Sequence, residues 1–272
     1  MNNKVIGICG VGFVGNAIYQ FIKNKNYTIK LYDKYKTILD INNFNNILES
    51  DILFLCLPTN LNDNKESYNM DEIDNTLLLL NNENYQGIIL IKSTVLPNYC
   101  NLVNDKYQNL KIIHNPEFLS AKTAVEDFKN QKHIILGYTK QSEPYVDYIV
   151  NFYKELFDNN NIEISITNSG ESSLVKLGCN SFYATKIQFF TELFLLCDKE
   201  KMDYNNVKNL MLKNEWINPM HTNIPGSDGN ISFGGLCFPK DITSLNTYLN
   251  GLNIPHKVIE SVVNERNEMR ND

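Results

Sequence analysis

Short apolar runs alternate with amphipathic stretches along the first 168 residues. An apolar run at 4–9 leads into a glycine-rich turn, helical spacing of apolar residues follows at 14–23, and a second apolar run lies at 28–32. Further strand patterns lie at 52–57, 87–91, 111–113, 133–136 and 163–166, with helical patterns at 71–81 and 143–157. This alternation predicts an α/β fold with a doubly wound parallel sheet, whose ligands bind beyond the carboxyl ends of the strands.

At residue 168 the pattern becomes helical. Asn168 can cap a helix that has Glu171 at its third position, and apolar residues recur at helical spacing from there to Leu196. A shorter helix is predicted at 204–213, and two more, at 239–249 and 256–269, follow a loop at 215–235 that is rich in Gly, Pro and Asn. We therefore predict two domains, an α/β domain at 1–168 and an α-helical domain with a long central helix at 169–272.

Composition excludes several classes of protein. The net charge of -6, without a long Lys/Arg cluster, argues against nucleic acid or an anionic membrane as partner. No apolar run approaches the roughly 20 residues of a membrane-spanning helix, and the first residues lead into a strand pattern, so we expect a cytoplasmic protein. The 6 cysteines form no CxxC pair and the 4 histidines have no helical metal-ligand spacing, so neither a disulfide framework nor a metal site is expected.

A glycine signature follows the first strand. It opens a helix, as in Rossmann-like dinucleotide-binding folds, and reads Gly10-Val11-Gly12-Phe13-Val14-Gly15. Asp33, at the end of the second strand, can accept hydrogen bonds from both ribose hydroxyls and would repel a 2′-phosphate, so NAD is favoured over NADP. Lys34 and Lys36 keep NADP open, although they are typical exposed loop charges. The alternative is a tight strand-to-helix turn with Asp33 as a solvated turn residue.

A second segment carries a candidate nucleophile. Cys237 lies at the N-terminal edge of a helix that begins near Pro239, where the helix dipole and Lys240 favour the thiolate. Asp241, four residues on, can lie on the same face and exchange a proton near that sulfur. Taken alone, a glycine turn with a buried cysteine explains this segment equally well.

Several motifs together resemble those of the UDP-glucose/GDP-mannose dehydrogenase family. Residues 233–241, Phe-Gly-Gly-Leu-Cys-Phe-Pro-Lys-Asp, resemble its GGxCxPKD motif. The other motifs occur in the same order as in the family. Cys56-Leu57-Pro58-Thr59 resembles CVPTP, and Lys92-Ser93-Thr94-Val95 resembles KSTVPxG. Asn115-Pro116-Glu117-Phe118-Leu119 resembles NPEFLxEG, and Glu171 with 176–180 and 184–187 resembles the AExxKYxxNxFLAxKI helix. The resemblance covers nearly the whole chain.

The resemblance implies a four-electron oxidation at one site with two NAD molecules used in succession. The expected reaction converts UDP-glucose to UDP-glucuronate. Cys237 would trap the aldehyde as a thiohemiacetal, and oxidation would give a thioester that water hydrolyses. GDP-mannose or a UDP-N-acetylhexosamine is the alternative substrate, because the motifs serve the C6 chemistry and not the base.

The same resemblance assigns roles to individual residues. Lys176 and Asn180, four apart on a helix, would stabilise the oxyanion; Asp241 and, through a water, Glu117 would act as acid/base groups, and Thr94 would position the water. Each also fits an ordinary structural role. The expected NAD contacts are Gly10, Val11, Gly12, Phe13, Val14, Gly15, Asp33, Pro58, Thr59, Ser93, Thr94 and Lys240. The expected substrate contacts are Glu117, Phe118, Leu119, Lys176, Asn180, Phe233, Gly234 and Cys237.

The chain also departs from the family pattern. Ala121 replaces the second glutamate of NPEFLxEG, and Trp216 stands where many members have an arginine for the partner subunit's site. Members usually continue into a third, Rossmann-like domain, whereas this sequence ends at residue 272. We expect either a minimal enzyme, in which the loop at 218–235 supplies nucleotide contacts, or an inactive remnant that binds NAD; retention of the catalytic set favours the enzyme.

Three further hypotheses follow. The long helix carries more apolar surface than a small helical domain covers, so we predict a homodimer through this helix, as in the family's dimers. A two-electron 3-hydroxyacid dehydrogenase shares the layout but needs no cysteine, and activity that survives Cys237→Ala would indicate it. A non-catalytic NAD-binding module would bind NAD without reducing it.

Overall fold

In the computed structural model, residues 4–36, 41–158 and 162–270 are described, and they form two compact units. The sheet unit contains the described residues up to Asn60 and from Asn69 to Lys176. The helical unit contains Leu61–Tyr68 and the described residues from Leu177 onward. The division falls within the long helix that was predicted to begin near residue 168, and the predicted domain boundary there stays a prediction.

Seven strands build the sheet unit, in the order β2-β1-β3-β4-β5-β6-β7. They are β1 (Val5–Cys9), β2 (Thr28–Tyr32), β3 (Ile52–Leu55), β4 (Ile88–Ile91), β5 (Lys111–His114), β6 (His133–Tyr138) and β7 (Glu163–Asn168). Five helices accompany them: α1 (Phe13–Ile22), α2 (Asp71–Asn82), α3 (Tyr99–Lys106), α4 (Ala124–Lys129) and α5 (Val146–Leu156). The prediction of a doubly wound α/β fold is confirmed.

The direction of the last two strands departs from the parallel arrangement of the other five. β1 to β5 run parallel, but β5 pairs antiparallel with β6 through Ile113↔Tyr138, and β6 and β7 are parallel to each other. An apolar strand pattern reads the same in either direction. Strand orientation was therefore not accessible from the pattern.

The two faces of the sheet bury different side chains. Alternate residues of β3, Phe54 on one face and Leu53 and Leu55 on the other, belong to two separate buried clusters. The first cluster includes Ile18 of α1 and Phe152 of α5, and the second includes helical residues of α2 and α3. Successive side chains of a strand point to opposite faces of the sheet, and both faces are covered by helices. Both sets of side chains are therefore apolar, and each strand is a continuous apolar run in the sequence.

Four helices build most of the helical unit: α6 (Ser169–Lys199), whose first residues lie in the sheet unit, α7 (Tyr204–Leu212), α8 (Phe238–Gly251) and α9 (Lys257–Met269). The Glu171 amide donates to Asn168 Oδ1 at 2.9 Å, so the predicted cap is formed. With 31 residues, α6 is about 46 Å long. None of the described helices combines the length and apolar character needed to cross a membrane.

A short hairpin at residues 61–68 also belongs to the helical unit, although it lies between β3 and α2 in sequence. Leu61 and Tyr68 form an antiparallel bridge, and the Asn62 amide donates to the Ser67 carbonyl at 2.7 Å. Thr247 of α8 donates its hydroxyl to the Glu66 carbonyl at 2.6 Å. This contact ties the hairpin to α8.

Candidate active site

The three glycines of the signature, two between β1 and α1 and one in the first turn of α1, have different structural requirements. Gly10 has a φ of 86°, and a Cβ there would lie 2.5 Å from the Cys56 carbonyl oxygen. A Cβ on Gly15 would lie 2.0 Å from the Gly10 carbonyl oxygen, so this glycine allows α1 to pack against the turn. A Cβ on Gly12 would meet no heavy atom of the described residues within 4 Å. Gly12 therefore leaves space at the helix N-terminus for a ligand.

Asp33 lies beside this turn. Its Oδ2 accepts the Val11 amide at 2.8 Å and its Oδ1 accepts the Tyr35 amide at 3.1 Å, so the carboxylate is fixed while each oxygen keeps a further lone pair. No side chain of the described residues caps α1, and its first turn contains no acidic residue. A fixed acceptor for ribose hydroxyls beside a helix N-terminus that favours phosphate fits a dinucleotide.

The lysines after β2 have protein partners. Lys34 Nζ lies 3.1 Å from a carboxylate oxygen of Glu72, and Lys36 Nζ donates to the Val11 carbonyl at 2.5 Å. The two ammonium groups that had kept NADP as an alternative cofactor are therefore bound to groups of the protein itself.

Predicted cofactor contacts after β3 and β4 lie at the same end of the sheet as the glycine turn. Thr59, Ser93 and Thr94 are buried, and Ser93 Oγ donates to the Leu57 carbonyl at 2.6 Å. Pro58 directly precedes Thr59. Because β1, β3 and β4 are parallel and adjacent, their carboxyl ends share one edge. The contacts of these residues with NAD stay predictions.

Glu117 and Lys176 come together at the edge of the sheet unit. Lys176 Nζ donates to the Glu117 carbonyl at 2.5 Å and lies 3.4 Å from Glu117 Oε1, and both residues are buried. Glu117 Oε2 accepts the Leu119 amide at 2.6 Å, and the Phe118 ring centroid lies 5.1 Å from Lys176 Nζ. The turn after β5 thus places a carboxylate and an ammonium in direct contact.

Lys92 is a buried lysine that was not among the predicted site residues. Its Nζ donates to Asn115 Oδ1 at 3.1 Å and to the Pro116 carbonyl at 3.4 Å, directly before Glu117. Burial lowers the pKa of Lys92 to about 8. The sequence shows Lys92 as the first residue of the Lys-Ser-Thr-Val motif. Its burial against the Asn-Pro-Glu turn depends on the pairing of β4 with β5, which the motif does not indicate.

In the helical unit, a buried carboxylate collects three donors. Asp241 is 0% exposed; its Oδ2 accepts the Asn180 amide group at 2.6 Å, and its Oδ1 accepts Lys240 Nζ at 2.6 Å. The third donor is the hydroxyl of Tyr68, 2.6 Å from Oδ1. Tyr68 was not among the predicted site residues, because it lies 173 residues from Asp241 along the chain. No local pattern marks such a pair.

Cys237 is the N-cap residue of α8, and its carbonyl accepts the Asp241 amide at 3.0 Å. The predicted nucleophile therefore directly precedes the helix whose first turn contains Asp241. Lys240, expected to favour the thiolate and to contact NAD, binds Asp241, and its Nζ lies 4.8 Å from the Tyr68 ring centroid. Its contact with NAD stays a prediction.

The loop before Cys237 is held by α9. Arg266 Nε donates to the Phe233 carbonyl at 3.2 Å, and a Cβ on Gly234 would lie 2.3 Å from Arg270 Nη2. The Phe233 ring is buried in the helical core and also lines a cavity of about 310 Å³. Trp216, at the position where the resemblance led us to expect an arginine, is 91% exposed.

The predicted catalytic set is distributed over both units. Thr94, Glu117 and Lys176 belong to the sheet unit, and Asn180, Cys237 and Asp241 belong to the helical unit. Within the described ranges, no three His, Cys, Asp or Glu side chains are grouped so that they could hold a metal ion.

Comparison with known proteins agrees with both halves of this description. Residues 30–159 match the NAD binding domain of the UDP-glucose/GDP-mannose dehydrogenase family, and residues 170–268 match the central domain of the same family. The UDP-glucose 6-dehydrogenase of Rickettsia bellii is 38% identical over 208 residues, which cover 74% of this chain and 45% of the relative. The chain spans about half the length of several of the curated relatives it matches.

Two solved structures share the fold. A UDP-glucose dehydrogenase from Pyrobaculum islandicum superposes with a TM-score of 0.83 at 18% identity, over 97% of this chain and 68% of that chain. The 3-hydroxyisobutyrate dehydrogenase of Mycobacterium tuberculosis superposes with a TM-score of 0.73 at 11% identity, over 96% and 92%. At these identities the likeness establishes the fold alone.

Substitution of the two glycines by alanine should separate folding from cofactor binding. Gly15→Ala places a methyl group against the Gly10 carbonyl, so we expect a lower melting temperature. The methyl group of Gly12→Ala would meet no heavy atom of the described residues within 4 Å, so this variant should melt like the wild type. The methyl group occupies the space expected for the pyrophosphate and should weaken NAD binding by at least about tenfold. Calorimetry and NAD titration measure both effects. Unchanged NAD affinity in Gly12→Ala would exclude this site.

Lys92 should give the stability a specific pH dependence. The unfolded chain keeps this proton up to an ordinary lysine pKa of about 10.4, whereas the folded protein releases it above about 8. Between these values the unfolded state binds more protons, so stability rises with pH. From pH 8 to 10.5, the wild type should gain on the order of 3 kcal/mol relative to Lys92→Met in urea unfolding. Lys129→Met, at an exposed lysine, is the control; parallel curves for wild type and Lys92→Met would contradict the assignment.

Proposed function

Because the chain belongs to the UDP-glucose/GDP-mannose dehydrogenase family, we propose that it oxidises the C6 hydroxymethyl group of UDP-glucose to the carboxylate of UDP-glucuronate, with NAD as oxidant and Cys237 as nucleophile. The observation that carries the proposal is the position of Cys237, at the N-cap of the helix whose first turn holds the buried Asp241. Residues 1–168 would form the NAD-binding domain, and 169–272 the helical dimerisation and catalytic domain.

The residues of the helical unit have complementary roles in this proposal. The Gly10–Gly15 turn and Asp33 would hold NAD, and two NAD molecules bound in succession would each accept one hydride from C6. Asp241 takes the proton of the C6 hydroxyl group. The Cys237 sulfur then forms a C–S bond with the aldehyde carbon. Asn180 uses one amide hydrogen for Asp241 and has a second for the oxygen on that carbon, which becomes negative as sulfur adds.

Release of the product requires water. In the proposal, Glu117 removes a proton from the water that Thr94 positions, and attack on the thioester breaks the C–S bond and returns the thiolate of Cys237. Lys176, whose ammonium group contacts the Glu117 carboxylate, would stabilise the oxyanion. GDP-mannose and UDP-N-acetylhexosamines remain alternative substrates, since the motifs serve the C6 chemistry and not recognition of the base.

The state of the cysteines supports a cytoplasmic location. Within the described part of the chain, five of them are free thiols: Cys9, Cys56, Cys100, Cys179 and Cys197. Unpaired thiols are typical of a reducing compartment. We therefore propose the cytoplasm as the site of action.

Cys237→Ser tests the covalent route. Wild-type protein with NAD and UDP-glucose should form two NADH per sugar, whereas the serine variant should stop after at most one and lose at least about 100-fold in steady-state rate. Absorbance at 340 nm with limiting sugar measures both quantities. Cys179→Ser, at a half-buried cysteine of α6, is the control.

Two outcomes would contradict parts of the proposal. If Cys237→Ser carried out a two-electron oxidation with the same activity as the wild type, the protein would be a 3-hydroxyacid-type dehydrogenase. Binding of NAD without its reduction by UDP-glucose, GDP-mannose or a UDP-N-acetylhexosamine would indicate a non-catalytic NAD-binding module.

A homodimer is the second part of the proposal. Phe182, Phe189 and Leu196 are 63%, 51% and 51% exposed, and they recur at intervals of seven residues along α6. Side chains at this interval form a stripe that suits packing against another helix. We propose that the same helix of a second copy covers this stripe.

Light scattering should therefore give a mass near twice 31.4 kDa at micromolar concentration. Phe182→Glu combined with Phe189→Glu should shift the protein to monomer, because carboxylates in an apolar helix interface are strongly unfavourable. Leu252→Glu, at an exposed leucine that follows α8, should leave the mass unchanged. A monomeric wild type at these concentrations would refute the dimer.

A further inference from the structure

Tyr68 belongs to the Asp241 cluster although no motif includes it. It ends the hairpin at 61–68, is only 6% exposed, and donates its hydroxyl to Asp241 Oδ1. Asn180 and Lys240, the other donors, come from α6 and α8. The carboxylate is therefore held from three separate segments of the helical unit.

The distribution of these donors distinguishes the two carboxylate oxygens. A carboxylate oxygen can accept about two hydrogen bonds. Oδ1 accepts both Tyr68 and Lys240 at 2.6 Å, whereas Oδ2 accepts Asn180. With respect to these three donors, Oδ1 is saturated, and Oδ2 has capacity for one further partner.

Tyr68 remains a donor under ordinary conditions. Burial, followed by the neighbouring negative charge of Asp241, raises the pKa of the Tyr68 hydroxyl well above its usual value. The Tyr68 ring also faces the Lys240 ammonium, whose Nζ lies 4.8 Å from the ring centroid. One side chain thus donates to Oδ1 and contacts the other donor to the same oxygen.

We propose that Tyr68 is a positioning residue for Asp241. Together with Lys240 it occupies Oδ1, so that Oδ2 is the oxygen that exchanges a proton with the substrate. The inference rests on the proposed function, because Asp241 acts as an acid/base group only there.

The hairpin offers a matched control for a merely structural role. It is attached to α8 at two places, by Tyr68 at Asp241 and by Thr247, whose hydroxyl donates to the Glu66 carbonyl. Tyr68→Phe removes the hydroxyl on the carboxylate and keeps the ring. Thr247→Val removes the other attachment and leaves every donor to Asp241 in place.

The kinetic test compares these variants under saturating NAD. Tyr68→Phe should lower kcat by roughly 10- to 100-fold, while KM for the nucleotide sugar changes by less than about twofold, because proton transfer and not binding is affected. Thr247→Val should keep kcat within about twofold of the wild type. Unchanged kcat in Tyr68→Phe, or an equal loss in Thr247→Val, would overturn the proposal.

A second measurement needs no turnover. Melting temperatures of the wild type, Tyr68→Phe, Asp241→Asn and the double variant form a thermodynamic cycle. If the hydroxyl acts through the carboxylate, the loss caused by Tyr68→Phe should at least halve in the Asp241→Asn background, whereas the loss caused by Thr247→Val should be the same in both. Additive losses for Tyr68→Phe would overturn the proposal. If the wild type reduces no NAD, the proposed function fails, and this cycle still decides whether Tyr68 acts on Asp241.

Discussion

The helical unit depends on one constraint: it buries the negatively charged carboxylate of Asp241, which has no exposure to solvent. A carboxylate removed from water costs several kcal/mol unless donors replace its hydration. Three donors do so, and each comes from a different segment: Tyr68 from the hairpin, Asn180 from α6 and Lys240 from α8. The charge thereby fixes the position of the hairpin, the face of α6 that is buried, and the first turn of the helix that begins after Cys237.

Buried cations set a related constraint in the sheet unit. Lys176 contacts the carboxylate of Glu117, so two charges compensate each other. Lys92 donates to Asn115 and to the Pro116 carbonyl, and burial lowers its pKa to about 8. Both lysines hold the same turn after β5. The geometry of Glu117 is therefore maintained at a cost in stability, as is common where a chemical group must be fixed.

The glycine turn illustrates how one motif combines folding and binding. Gly10 and Gly15 are required by contacts within the protein, since a Cβ at either would meet a backbone oxygen. A Cβ on Gly12 would meet no heavy atom of the described residues within 4 Å, so a bound ligand and not the protein accounts for the glycine at this position. Asp33 accepts the Val11 amide and so connects the turn to the end of β2. The glycine turn, the N-terminus of α1 and the Asp33 carboxylate are therefore in place before a ligand binds.

The sequence by itself determined the local features. Strand and helix periods, the cap formed by Asn168, the glycine turn and the position of Cys237 before a helix depend on contacts between residues near in the chain, which a pattern records. It also placed Asp241 and Lys240 in one helical turn. Only the tertiary structure decided the antiparallel pairing of β5 with β6 and the contact of Tyr68 with Asp241. These depend on the path of the chain between distant segments, and neither hydrophobic period nor motif spacing contains that path.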